Sequence, residues 1–295
     1  MAATSQALPT HSNTARRYTI QRLGFAALAV AALAVVLPIL FVLGAIFVRG
    51  IGAINWEFLT AMPRDGMKAG GIFPAIVGSL LLVFGTALAA VPVGIGGAIY
   101  LAEYARDNAT TRAIRLAIVN LAGIPSVVYG LFGLGMFVLF MQLGTSILAG
   151  SLTLAIMTLP IIISTAEEAL LAVPTEFRTV SASLGGTRWQ GIRYVILPQA
   201  LPGIITGIIL GLLRAVGETA PILFTVAAFY LPSLPRSPLD QTMALPYHLY
   251  VISTQVPGMP SQVQYGTALV LLILALSLSV AATFVRGYFR RRRQW

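Results

Sequence analysis

Six long apolar runs, Leu23–Val48, Gly71–Leu101, Leu116–Phe140, Ile147–Thr165, Leu201–Tyr230 and Tyr265–Val285, occupy most of this 295-residue chain. A helix needs about 20 mostly apolar residues to cross a bilayer. In hydrocarbon every backbone N–H and C=O must find its partner within the protein, and apolar runs of this length do so as helices. The expectation is an all-α polytopic membrane protein with six transmembrane helices. Only 9% of the residues are charged and 57% are hydrophobic, so no stretch remains for a separate soluble domain. The expected organisation is a polar tail over 1–22, one transmembrane domain over 23–286 and a basic tail over 287–295. Leu23–Val48 is followed by no small-residue cleavage site and reads as a retained span rather than a secretory signal.

A net charge of +10 would suit a nucleic-acid binder, but its placement excludes that reading. Arg16, Arg17, Arg22, Arg106, Arg112, Arg115, Arg178, Arg188, Arg193, Arg286 and Arg290 to Arg293 all fall on one side of the six runs. Arg49, Arg64, Lys68 and Arg236 fall on the other. Basic residues accumulate on the cytoplasmic side of spanning helices, so both termini are expected in the cytoplasm. Glu103 and Asp107, with Arg106 and Arg112, read as a solvated charge cluster at that edge.

Cysteine is absent, and His11 and His248 lie on opposite expected sides, so no disulfide, cysteine-bound metal or His–His metal site is available. No cofactor is expected. No G-x-x-x-x-G-K-[ST] loop occurs either, so any ATP-driven motor must belong to another subunit. An intramembrane enzyme would need a catalytic constellation, and the spans hold no His, Cys or paired acids.

One polar segment, 175–198, cannot sit in lipid. Thr175 is a candidate N-cap with Glu176 at the positive helix end, and Phe177, Val180 and Leu184 repeat at helical spacing. Gly185-Gly186 stops this helix. Thr187 and Gln190 have capping-box spacing and start a second short helix, which Pro198 is expected to end. By pattern alone the hairpin is an amphipathic connector on the membrane surface or a docking element for a partner.

The fifth run carries Arg214, the one basic residue inside any span, and Glu218. If the helix is continuous, Gly203, Gly207, Gly211, Arg214 and Glu218 share a face, its glycine half suited to close helix packing. An Arg at mid-bilayer costs roughly 2.5–3.5 kcal/mol and usually faces a bundle interior or an aqueous cavity. Arg214 and Glu218 therefore form either a substrate path or a structural pair, and a secondary transporter exchanging anions for protons could use the same two residues. No internal repeat of the kind many such transporters show is evident. The outer segment 231–264 is rich in proline. Its apolar middle, Met243–Ile252, is expected to form a short helix on the outer rim or dipping inward.

Gly185 followed after nine residues by Val195-Ile196-Leu197-Pro198 resembles the G-x9-I-x-L-P part of the EAA motif of ABC-importer permeases. Thr179, Val180 and Ser181 stand where that motif has Glu-Ala-Ala, so its acidic residue is missing. Tyr100-Leu101-Ala102-Glu103-Tyr104, Leu121 to Gly130 (LAGIPSVVYG) and Arg214 to Pro221 (RAVGETAP) are similar to the phosphate-importer permeases of the PstA family, from about Gly71 to the last span. This resemblance implies the MetI-like fold of type I importers, with Leu23–Val48 wrapping a neighbour. It implies inorganic phosphate as substrate, with Arg214, Glu218 and Thr219 on its path; a guanidinium matches phosphate oxygens with two parallel donors. It implies a coupling hairpin that docks on an ATPase through Phe177, Arg178, Ser181, Leu184, Gly185, Gly186 and Thr187. The partners implied are a PstC-like second permease, two copies of a PstB-like ATPase and a PstS-like phosphate-binding protein outside the bacterial plasma membrane. The outer segments Asn55–Ala69 and 231–264 would face that binding protein.

Overall fold

A computed structural model describes residues 12–183 and 185–291. Its helices, in chain order, are α1 (Ser12–Gly50), α2 (Trp56–Thr60), α3 (Phe73–Ile99), α4 (Ala109–Ala122), α5 (Ser126–Gly133), α6 (Ile147–Leu171), α7 (Thr175–Ser183), α8 (Arg188–Gly191), α9 (Leu197–Val216), α10 (Ala220–Thr225), α11 (Leu245–Thr254) and α12 (Ser261–Arg291). One small antiparallel pair, β1 (Pro63–Arg64) with β2 (Ala69–Gly70), closes a loop between α2 and α3. The chain divides into two compact units, one ending at Arg49 and one beginning at Gly50. From Leu23 to Val48 the first unit is apolar around its whole circumference, a surface suited to lipid or to another protein's helices.

Within the second unit α6 is the central helix. Of its most apolar stretch 61% is buried, against 28% for α3 and for the Arg188–Val216 stretch and 11% for α12. The reason is small residues facing it from both sides. A Cβ at Gly94 of α3 would come within 2.6 Å of Ile162, and one at Gly211 of α9 within 2.9 Å of the same side chain. Ile162 is fully buried between them. Where lipid tails are as apolar as leucine, such close backbone approach supplies the dispersion contact that holds helices together.

Five helical stretches are long and apolar enough to cross a membrane, and a sixth exists if α4 and the segment Ser126–Phe140 count as one span. That pair is bent by 102° at Gly123-Ile124-Pro125, so the expected straight run Leu116–Phe140 is broken. Pro125 lacks the N–H that would continue the α4 ladder. The Leu121 carbonyl, which loses that donor, accepts Ile124 N at 3.1 Å and the Tyr129 hydroxyl at 2.7 Å.

The fifth run breaks too. α9 ends at Val216, Gly217 caps it, and α10 restarts at Ala220 with Pro221 in its first turn. The expected continuous helix over Leu201–Tyr230 is therefore two helices, and Glu218 and Thr219 lie in the gap. Pro198, expected to end the second hairpin helix, does not: the chain passes from α8 through a π-helical turn, Ile192–Ile196, straight into α9. The widened π turn just before Pro198 accommodates a residue without an N–H inside an otherwise continuous helix. Helix α11, within the stretch expected to lie on the outer rim or dip inward, dips inward, with Leu245, Val251 and Ile252 wholly buried.

Candidate functional site

Two regions of the second unit combine polar chemistry with irregular backbone: the gap between α9 and α10, and the hairpin end of the bundle.

At the gap, Arg214 sits in the last turn of α9, where unsatisfied carbonyls favour a cation. Its Nε lies 3.6 Å from Glu218 Oε1. The two side chains are 37% and 17% exposed, so the pair is half open to the surface of the chain rather than sealed in its core. The buried packing row of α9 runs Gly207, Gly211, Ala215, and Arg214 stands beside it. Arg214 precedes the buried Ala215 by one residue, about 100° round the helix, and Glu218 lies beyond the end of α9, so the single shared face expected from the sequence does not continue to Glu218. Gly203 and Gly207 pack on α6 at Ala169 and at Thr165. Thr219 is half-buried in the gap, and its carbonyl accepts Leu223 N at 3.1 Å.

The second broken span meets the first here. A Cβ at Gly130 of α5 would come within 2.8 Å of Phe224 and 3.0 Å of the Ala220 carbonyl, both on α10. On its other side Glu218 borders a small pocket of about 10 Å³, also lined by Ser79, Leu82, Val83 and Pro246. That volume holds about one water. Non-helical backbone at membrane depth is tolerated where protein or a water-filled cavity covers it, and broken helices place opposed dipole ends beside a ligand. Tyr129 was not singled out from sequence, although it stands directly after the Pro125 break.

At the hairpin end, α7 runs Thr175–Ser183, Gly185 takes the left-handed conformation at φ +74°, and α8 follows. The Thr187–Gln190 capping box is present: Thr187 N donates to Gln190 Oε1 at 2.7 Å, and Gln190 N to Thr187 Oγ1 at 3.3 Å. Gly185 and Thr187 are exposed and Gly186 half-buried. Phe177 is half-buried against a core made by Ala98, Leu170, Val173, Ile192 and Ile196. Ser181 falls on α7, and Leu184 lies outside the described residues. Arg178 is turned inward. Its Nη1 donates to Val173 O at 2.7 Å, and its Nη2 to Leu170 O and to Glu103 Oε1, both at 3.0 Å.

Glu103 corrects the sequence reading. Asp107 and Arg112 do form an exposed pair at 3.5 Å, but Glu103 is only 6% exposed and is bound to Arg178. The signal was its position at the end of an apolar run, between Leu101 and Tyr104, rather than within the polar segment that follows. His248 is a second residue whose environment the sequence hid. It is 1% exposed, and neither ring nitrogen has a hydrogen-bond partner among the described residues. Burial holds its pKa down at about 4. Among the described residues no cluster of three or more His, Cys, Asp and Glu could hold a metal ion.

Broken apolar helices around a charged pair, with a polar hairpin at one end of the bundle, define a multi-pass membrane transport subunit. The chain belongs to the family of inner-membrane components of binding-protein-dependent transport systems, whose model matches residues 90–295. It is 34% identical over 255 residues to the probable ABC transporter permease protein YqgI of Bacillus subtilis, an alignment covering 81% of this chain and 86% of that one. To the phosphate transport system permease protein PstA 1 of Mycobacterium tuberculosis it is 32% identical, covering 88% and 84%. To the probable PstA of Methanocaldococcus jannaschii it is 35% identical, covering 83% and 86%. Among solved structures it superposes on a bacterial ABC transporter involved in alginate import with a TM-score of 0.66 at 13% identity, over 92% of this chain and 99% of that one. The inward-facing MetNI methionine ABC transporter gives 0.59 at 18% identity, over 73% and 94%. The shared fold is that of MetI-like importer permeases.

Proposed function

We propose that this chain is one permease half of an ATP-driven importer of inorganic phosphate. The observation that carries the reading is Arg214, the one basic residue of the apolar runs, held at a helix break beside Glu218 and half exposed on the flank of the subunit. A phosphate bearing one to two negative charges needs a compensating cation in low dielectric, and an isolated buried charge is far too costly. Glu218 offsets Arg214 between deliveries, and phosphate displaces that carboxylate. The similarity to relatives named phosphate transport permeases supports the choice of substrate.

The cavity beside Glu218 is too small for phosphate, so the path is completed by a second, PstC-like permease against the exposed Arg214 flank. The chain performs no covalent chemistry. ATP hydrolysis belongs to two copies of a PstB-like ATPase, because this sequence has no phosphate-binding loop. Those ATPases dock on the exposed hairpin surface around Ser183, Gly185 and Thr187, on the cytoplasmic side to which the arginine distribution assigns both termini. Arg178 anchors the hairpin from within rather than meeting the ATPase. A PstS-like binding protein delivers phosphate to the outer surface built by α2, the β1–β2 loop and the segment 231–264.

The test is co-expression with the candidate partners, purification through this chain, and reconstitution into proteoliposomes. Phosphate uptake that requires ATP inside the ATPase compartment and the binding protein opposite is expected. Uptake that survives without ATP but collapses with an ionophore would replace this reading with secondary anion–proton exchange.

A further inference from the structure

Three cationic side chains converge on one short element, the π-helical turn Tyr100–Tyr104 at the end of α3. Arg178 of α7 bonds Glu103, as above. Arg188 of α8 places its guanidinium carbon 5.0 Å from the Tyr104 ring centroid, a cation–π contact. Arg115 of α4 donates to the Leu101 carbonyl at 3.2 Å and pairs with Glu167 of α6 at 2.7 Å. The two hairpin helices thus grip adjacent residues of α3 independently, one through a buried carboxylate and the other through an exposed ring.

We propose that Glu103 and Tyr104 form the socket through which the hairpin moves α3, making α3 a second drive strut beside α9. This rests on the reading of 175–198 as the ATPase-docking element. The hairpin is already joined to α9 by the chain itself, through the π turn Ile192–Ile196. With that link alone, a hairpin displacement would tilt α9 and leave α3 behind. The Arg178 and Arg188 contacts convert the same displacement into movement of both helices against the middle of α6, whose Ile162 is nested between Gly94 of α3 and Gly211 of α9, while Arg178 holds α6 only at its end. Both struts reach the candidate path: α9 carries Arg214, and α3 contributes Ser79, Leu82 and Val83 to the cavity wall beside Glu218. Other features favour transmission over simple anchoring. Arg178 also holds two backbone carbonyls, Leu170 at the end of α6 and Val173 just past it, so one planar side chain links the hairpin, the π turn and α6. The socket is π-helical, a wider and less regular turn that recurs at functional positions and accommodates rearrangement better than a straight α-helix. Glu103 and Tyr104 are positioning residues and touch no substrate.

The experiment uses the complete transporter with Ser183→Cys, free of background because the chain has no cysteine. Cross-linking to the ATPase and phosphate imported per ATP hydrolysed are measured together. Glu103→Gln should keep the cross-link and lower the transport-to-hydrolysis ratio about tenfold, within the range by which network substitutions alter coupling. Tyr104→Ala, at an exposed ring, should lower it by about threefold, and it carries the test alone if Glu103→Gln does not assemble. A wild-type ratio with the cross-link intact overturns the socket and leaves hairpin docking standing. If no cysteine from Ser183 to Gln190 cross-links in a complex that imports phosphate, the docking reading falls and the socket with it.

Discussion

Arg214 and Glu218 meet across the end of a helix and not along one: the Nε–Oε1 separation is 3.6 Å, and Val216, between them in sequence, is the last residue of α9. This distinction has energetic weight. Two residues on one helix face are held by that helix, whereas Glu218 sits on a gap whose backbone can move without unwinding α9. The carboxylate can leave Arg214 when an anion arrives, and Gly217 beside it imposes little resistance.

Arg214→Gln should insert and assemble but lose phosphate uptake, and Arg214→Lys should restore little of it, because an ammonium cannot offer two parallel donors. Glu218→Gln should reduce uptake less and raise hydrolysis in the absence of phosphate. Uptake in proteoliposomes decides this. A wild-type rate for Arg214→Gln would remove Arg214 from the path.

Gly185→Leu should uncouple hydrolysis from transport while leaving the bundle intact. At φ +74° a side chain adds strain of about 1–3 kcal/mol, although nothing lies within 4 Å of the site to clash. The strain is local to the hairpin, so thermal melting should change little while the transport-to-hydrolysis ratio falls.

Gly207→Leu should act in the opposite place. A Cβ there already comes within 2.8 Å of Thr165 on α6, and overpacking of a tight contact costs about 1–3 kcal/mol. Reduced yield and a lower melting temperature in detergent are expected, before any specific transport defect. Unchanged melting would show that α9 and α6 separate more readily than the packing implies.

His248 should make stability acid-sensitive. Above about pH 6.5 it is neutral folded or unfolded and contributes no pH dependence. As pH falls from 6.5 towards its folded value of about 4, the unfolded chain takes up the proton and the folded chain does not, so stability is lost. The loss between pH 7 and pH 5 is about 2 kcal/mol. His248→Leu should flatten the wild-type drop in melting temperature over that interval, and an unchanged drop would place the sensitivity elsewhere.

Topology can be checked directly. Reporter fusions after Arg115, after Gln199 and at Trp295 should all report the cytoplasm. An external signal from the Gln199 fusion would put the hairpin out of reach of any ATPase.

Much of this was legible in the chain without a structure, because lipid imposes one-dimensional constraints. Apolar length marks the spans, and Gly185 with the Thr187–Gln190 spacing specifies a helix–turn–helix from local backbone chemistry alone; arginine asymmetry supplies the expected side that the fusions test. Span ends were misjudged where continuity is decided by what packs opposite. Gly123-Ile124-Pro125 and Gly217-Glu218-Thr219 are too apolar or too short to announce a break. Pro125 removes a ladder N–H at the first break, and the two broken spans meet where α5 and α10 pack together, with Gly130 against Ala220 and Phe224. Pro198 erred in the other direction, a helix breaker by composition that follows a π turn inside a continuing helix. Glu103 is the clearest case. Its carboxylate is 75 residues from the guanidinium that neutralises it, and no periodicity reports a contact at that separation. Local sequence sets which residues prefer helix, turn or lipid; only the assembled bundle decides which buried charge meets its partner, since desolvation and pairing depend on distances in space.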